Sequence, residues 1–422
     1  MNTKIFIKEL KRGVLKLMPA YSGERRQLRR DDGEAMMRQA VRRAVKRVPY
    51  YKKYADVVGR QDFSLQDFPI IRKPDVLNHS CQLVSRRAFK PMLHRKETGG
   101  STGVSLELFV SPGTVMRNAA VVDWLFSLVA PKCRTAILRG NVPDGGAVSQ
   151  PVGNGDILLS SYLLSADNLD EYLSALRLND INCLHVYPSA VSVLARLVYQ
   201  RYGSSLHLPE LRGIVASSEV FSADDKAIVA KAFPDVKIID YYSHNEQACA
   251  AYSVDGGPYR FIPSFGYVEF MPTGETVNGG HRVAEIVATS VMNRTMPFIR
   301  YGTDDYVELD DDGNVLSIIG RTSDQVVDRN GERVPCMVNT RDVSFANVLN
   351  FQYYQPAEGK LVMRVVVNDR YTEADRQNLL EDMDNSFAGR LDCDVVIVKD
   401  VDRTRIGKQI RLVSDLNKKK NT

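Results

Sequence analysis

"LRGIVASSEVFSADDKAIVAKAFPDVKIIDYYSHNEQ", residues 211–247, is the stretch on which the fold turns. Ile214, Val215 and Ala216 form a short apolar strand that runs into the small polar residues 217–219. Ser222 then stands where an N-cap would, ahead of a helical segment over 222–234 that Pro234 closes. Lys237, Ile238 and Ile239 begin a second strand, which enters the polar loop 243–247. Two strands joined by a single helix read as one unit of a parallel α/β sheet.

The same rhythm extends outward. "TAILRG" (135–140) is a buried strand ending in glycine, residues 168–180 have helical period, and "INCLHVYPSA" (181–190) is a strand stopping at Pro188. Residues 189–203 predict a helix ended by Gly203. In such sheets, ligands bind where loops leave the carboxyl ends of strands. Residues 217–219 and 241–247 occupy two of those positions. From about 260 to 319 the pattern becomes a β meander, with a hairpin turn at "DDDGN" (310–314). Beyond Gly320, "KLVMRVVVND" (360–369), a helical run over 372–391 and "CDVVIVKDV" (393–401) predict strand, helix, strand. The expectation is an α/β protein. A large lobe, 1–320, carries a mostly parallel sheet and a meander, and residues 321–422 form a small mobile α+β lobe.

Composition bounds the function. A chain of 422 residues exceeds what one core usually serves, and 44% hydrophobic with 25% charged residues is a globular balance. No run approaches the roughly 18 apolar residues of a membrane span, and the N-terminus does not read as a signal peptide. Six cysteines lie far apart without a Cys-x-x-Cys pair, and six scattered histidines show no ligand spacing. The cysteine spacing points to a reducing, cytoplasmic setting, and the histidines offer no metal-ligand cluster. Residues 1–30 carry nine Lys or Arg against two Glu. Residues 1–18 read as an amphipathic helix up to Pro19, with Phe6, Leu10 and Val14 opposite Lys4, Lys8 and Lys11. That helix either packs on the body or lies peripherally on an anionic membrane. A second basic helix, within 40–53, stops before Pro49. No nucleic-acid motif accompanies the charge, so nucleic-acid binding is not expected. Oligomeric state is not legible.

Residues 98–103, Thr98-Gly99-Gly100-Ser101-Thr102-Gly103, lay bare backbone N–H groups and hydroxyls, as a phosphate cradle does. The Gly-Lys-Ser/Thr ending of a P-loop is absent. Read with "VASSEVF" (215–221), "DYYSHNEQA" (240–248), "PFIRYGTDDYVEL" (297–309), "GRTSDQVVDRNGERV" (320–334) and "DRTRIGKQIR" (402–411), the chain resembles the adenylate-forming acyl ligases. Within them it is most similar to the short phenylacetate–CoA ligase-like, or CapK-type, branch. Six segments follow in order.

The resemblance implies ATP- and Mg²⁺-dependent activation of a small carboxylic acid as an acyl-adenylate. Transfer to coenzyme A, or to an amine or hydroxyl of a sugar in polysaccharide biosynthesis, would follow. Residues 98–103 would hold ATP phosphates, and Glu246 would ligate Mg²⁺. Ser217, Ser218, Glu219, Tyr241 and Tyr242 would line the adenine, with one of the two tyrosines packing in the core. Asp305 or its neighbour Asp304 would meet the ribose, with Arg321 nearby, and Lys408 would attend the reacting acyl-phosphate. Ser323 and Asp324 take the hinge position. His185, Tyr187, Ala248 and Cys249 point to a modest, partly polar acid pocket. The chain departs from the pattern at Gly99, Asp304, Ser323 and "SHNEQ". Two rival readings are a nucleotide-binding module without transfer activity and a membrane-surface scaffold.

Overall fold

The computed structural model describes residues 16–97, 106–153, 155–277, 280–321, 325–336, 338, 342–404 and 407–418. Residues 98–103, read from sequence as a phosphate loop, Ser323 and Asp324, read as a hinge, and the N-terminal segment 1–15 lie outside them. The chain divides into two compact units. The first comprises 1–128, 241–253 and 257–318; the second comprises 129–240, 254–256 and 319–422.

In the first unit, Gly33–Arg47 forms a helix whose Met37, Val41, Ala44 and Val45 share one buried face. Val48 is extended because the ring of Pro49 disfavours the helical region for the residue before it. The helical residues 16 and 17 stop before Pro19, and Pro19 opens a further helix over Pro19–Gln27. A first-turn N–H has no intrahelical partner, so its absence costs nothing there. The meander strands Gly266–Thr276, Arg282–Ser290, Tyr301–Leu309 and Val315–Arg321 pair in sequence order. At the last turn Asp310 accepts from the N–H and Nδ2 of Asn314 at 2.7 and 2.9 Å, and Gly313 takes a left-handed φ of +82°. Tyr51, Phe68, Phe298 and Tyr301 fill the core beneath the sheet. The Tyr51 hydroxyl accepts from the N–H of Ile299 at 3.1 Å. A Cβ on Gly266 would stand 1.8 Å from the carbonyl oxygen of Ala248, so two backbones touch there.

In the second unit, the strand order is Lys237–Ser243, Gly213–Ser217, Cys183–Val186, Thr135–Asn141, Asp156–Ser160, Ser149–Gly153, with Lys237–Ser243 running on into the first unit. The middle four are parallel neighbours, and Ser149–Gly153 returns antiparallel. Helices Leu169–Leu178, Pro188–Tyr202 and Ala223–Ala232 bury Leu173, Leu194 and Val229 in one core with the strands' Leu138, Leu184 and Ile214. Ser222 caps the third helix by accepting from the N–H of Asp225 at 3.2 Å. The same unit contains a four-stranded sheet in the order Asp392–Ile397, Lys360–Val367, Val348–Gln355, Leu412–Ser414. Helix Glu373–Phe387 covers it through Leu379, Met383 and Phe387. The fold is thus mixed α/β with a predominantly parallel sheet, a meander and a C-terminal α+β lobe, as the sequence pattern predicts.

Candidate functional site

Within the second unit, three parallel strands deliver side chains to their carboxyl ends. Thr135–Asn141 supplies Arg139 and Gly140, Cys183–Val186 supplies His185 and then Tyr187, and Gly213–Ser217 leads to Ser218 and Glu219. Arg139 Nη2 donates to Ser218 Oγ at 2.7 Å, and Arg139 Nη1 lies 2.5 Å from His185 Nε2. Burial, and the charge of Arg139, pull the His185 pKa down to about 3. His185 is therefore neutral at physiological pH, and its Nε2 accepts. The guanidinium lies 4.9 Å from the centroid of the Tyr187 ring. Ser218 sits at φ +78°, a conformation that non-glycine residues seldom keep without a reason.

Glu219 spends both carboxylate oxygens on backbone. Oε2 accepts from the N–H of Ser189 at 3.0 Å and Oε1 from the N–H of Gln409 at 2.8 Å. Burial raises its pKa, and these bonds together with Lys408 oppose the rise. Gln409 belongs to a tight turn in which Thr404 N–H donates to the Lys408 carbonyl at 2.7 Å. The N–H of Lys408 in turn donates to Thr404 Oγ1 at 3.1 Å. Gly407, at φ +77°, touches both Gly140 and Tyr162: a Cβ there would be 2.6 Å from Gly140 Cα and from Tyr162 Oη. The turn thus presents Lys408 to the strand ends, its Nζ 5.9 Å from the Tyr187 ring centroid. Deeper in, Asp225 pairs with Arg196 at 3.0 Å and Arg411 at 3.3 Å. Burial alone would raise the Asp225 pKa, but the two arginines outweigh it and hold it low.

In the first unit, the loop after Lys237–Ser243 carries Glu246. Its Oε2 lies 3.1 Å from His244 Nδ1, and its Oε1 accepts from the Tyr301 hydroxyl at 3.4 Å. His244 Nε2 lies 3.6 Å from Cys249 Sγ. Burial pulls the His244 pKa down, yet Cys249 and Glu246 outweigh it and bring it up to about 10. Tyr242 Oη donates to Asp305 Oδ2 at 2.7 Å, whereas Tyr241 is buried. Asp304 separates from its neighbour: at φ +58° it turns away and pairs with Arg72 at 3.3 Å. Asp305 is thereby the acid held beside Tyr242. Ala248 is fully buried in the core with its carbonyl against Gly266.

The second unit therefore brings together Lys408, Glu219, Ser218, Tyr187 and His185, and the first unit brings together Glu246, Tyr242 and Asp305. Ser217 is buried at the end of its strand. The backbone of Arg321 closes the last meander strand. Arg139, Ser189, Gln409 and Tyr301 were not among the residues predicted from sequence. Arg139 carried a readable signal, a cation one residue before the glycine that ends "TAILRG". Gln409 and Ser189 act through main-chain N–H groups, which no side-chain pattern announces.

Mg²⁺ takes hard oxygen ligands and commonly binds through one or two carboxylates together with substrate phosphates. Glu246, a carboxylate on a loop leaving a strand end, fits that use. Among the described residues no group of three His, Cys, Asp or Glu side chains is placed to hold a metal. No helix among them is long and apolar enough to cross a membrane.

No family model matches the chain. It is 21% identical over 369 residues to Protein CapK of Staphylococcus aureus, covering 79% of this chain and 78% of that protein. A solved structure of 2-hydroxyisobutyryl-CoA ligase in the postadenylation state, in complex with R3-HIB-AMP, superposes with a TM-score of 0.65 at 14% identity. That match spans 92% of this chain and 90% of the ligase. The amide bond synthetase McbA from Marinactinospora thermotolerans superposes at 0.51 with 17% identity, over 80% of this chain and 71% of its own.

Proposed function

We propose that this chain, which has the fold of the adenylate-forming acyl ligases, joins a small carboxylic acid to AMP and then passes the acyl group to an acceptor. The observation that carries the reading is the Thr404–Gln409 turn. Its main chain is fastened by Glu219 and Gly407 while the Lys408 side chain is offered to the carboxyl ends of a parallel sheet. A cation so held costs no reorganisation when negative charge develops beside it.

In the first half-reaction an acid oxygen attacks the α-phosphorus of ATP, and the bond to the pyrophosphate leaving group breaks. Residues 98–103 supply donors to the leaving phosphates. Lys408 meets the charge shared between the acid oxygen and the α-phosphate. Asp305, oriented by Tyr242, accepts from the ribose hydroxyls, with Arg321 as a further donor, and Ser217 and Ser218 border the base. Tyr187 and His185 border the acid. Mg²⁺, bound through Glu246, would neutralise phosphate charge, and the His244 imidazolium and Tyr301 hydroxyl fix the orientation of that carboxylate. In the second half-reaction residues from 321 onward turn about Ser323 and Asp324, withdrawing Lys408 and admitting coenzyme A or a sugar amine or hydroxyl. The polysaccharide acceptor is the one that the CapK-type resemblance of the sequence implies. A cytoplasmic site of action, with peripheral membrane contact through residues 1–18, accords with this chemistry.

Incubation with ATP, Mg²⁺ and pooled carboxylic acids, followed by mass spectrometry, tests the reading. An acyl-AMP that forms with the wild type and not with Lys408→Ala is expected. No acyl-AMP and no acid-dependent exchange of pyrophosphate into ATP would leave a nucleotide-binding module.

A further inference from the structure

Arg139 is a cation whose hydrogen-bond partners are neutral. His185 Nε2 and Ser218 Oγ accept from its two terminal nitrogens, and the Tyr187 ring lies alongside. No carboxylate among the described residues forms an ion pair with it. Glu219, the acid whose charge it feels, has committed both oxygens to the N–H groups of Ser189 and Gln409. His185 is neutral, so it steadies the guanidinium without competing with it. Burial already lowers the pKa of Arg139. A partly desolvated cation whose nearby acid is spent on main-chain N–H groups is an expensive arrangement unless something completes it. A guanidinium also has five N–H donors in a planar fork, matched to a carboxylate, and two neutral acceptors do not exhaust them.

We infer that Arg139 receives a second anionic group borne by the acid substrate, so that this pocket selects short diacids over simple monoacids. The inference rests on the acyl-adenylate reading and narrows its substrate class. The acid is short because Arg139 and Lys408 lie against one ring, at 4.9 and 5.9 Å from the Tyr187 centroid. With the reacting carboxylate at Lys408, the far carboxylate falls to Arg139. Ser218 holds its left-handed backbone where its hydroxyl fixes the second guanidinium nitrogen, which gives the strain a use.

The test uses the full chain and matched probes: succinate with butyrate, glutarate with valerate, and phthalate with benzoate. Acid-dependent pyrophosphate exchange is measured for the wild type, Arg139→Gln and Arg139→Lys, with calorimetric binding of the same six acids alongside. For at least one pair the wild type should favour the diacid by about tenfold or more in kcat/KM, the scale of one charged hydrogen bond. Arg139→Gln should bring that ratio near one, chiefly by raising the diacid KM, and Arg139→Lys should restore part of it. Equal handling of every pair by the wild type, or a preference that survives in Arg139→Gln, overturns the inference. If Arg139→Gln spares exchange and slows only acyl transfer, the anion belongs to the acceptor and the assignment to the acid is wrong. If no acid supports exchange but diacids bind the wild type and not Arg139→Gln, the pocket stands and the adenylation reading falls. Absence of diacid binding in both assays overturns the pocket.

Discussion

Replacing Glu219 by Gln separates two roles for this residue. The carboxylate accepts from Ser189 N–H at 3.0 Å and Gln409 N–H at 2.8 Å, one through each oxygen. A glutamine keeps one acceptor and turns an amide N–H₂ toward the other donor. One bond to a charged acceptor is lost, worth about 1.5–3 kcal/mol, and a donor is left facing a donor. About 2 kcal/mol, inside that range, is a fair total. Ser189 lies in the first turn of a helix and cannot retreat, so the loss falls on the Thr404–Gln409 turn. At about 2 kcal/mol, acyl-AMP formation should slow roughly thirtyfold if it requires the docked turn. The assay is pyrophosphate exchange at varied ATP, with circular dichroism to check the fold. The fall should appear in kcat with the ATP KM little changed. A raised ATP KM at constant kcat would refute the reasoning and return Glu219 to the adenine-lining role. Wild-type behaviour would mean that the turn needs no anchor.

Lys408→Ala should lower acyl-AMP formation by about 10²-fold or more, with an unaltered melting temperature. Transfer from pre-formed acyl-AMP should suffer less, and equal losses in both half-reactions would argue against withdrawal of the turn. Asp305→Ala should weaken ATP binding by about 1.5–3 kcal/mol in a calorimetric titration. Asp304→Ala, which removes a surface pair with Arg72, should cost under about 1 kcal/mol, and the reverse ranking would move the ribose acid to 304. Glu246→Gln should abolish pyrophosphate release while the circular dichroism spectrum is kept; wild-type-like release would remove Glu246 from the metal role.

Much of this architecture can be read from local chemistry. Ile214 to Ser217, the Ser222 cap and the Asp310–Asn314 turn each carry a short-range reason for their conformation, and each forms as the residues demand. The strands that escaped notice lack that signal. Ser149–Gly153 contains Gln150, Pro151 and Gly153, and has no apolar alternation. In Val348–Gln355 the buried Gln352 and Gln355 break the pattern, and their amides are satisfied by carbonyls elsewhere, at Ile410 and Val327. Pro188 follows the strand Cys183–Val186 and opens the helix Pro188–Tyr202, because a proline can close one element and begin the next. At the site, the resemblance to the adenylate-forming acyl ligases drew attention to Lys408, Glu246 and Asp305. The pairing of Glu219 with Gln409 joins residues 190 apart, and only the folded chain brings them within reach.

The contact between Gly266 and the carbonyl of Ala248 bears on how this protein could change over generations. The loop that carries Glu246 rests at that point on bare main chain, with no side chain between to shrink or enlarge. Exchanges at 266 are closed by steric exclusion, and the height of the loop is not an adjustable trait. Variation in what the protein accepts must therefore arise at positions where side chains still have room to differ, such as 139, 187 and 218. A library seeking new substrates would gain by sampling those three and leaving 248 and 266 alone.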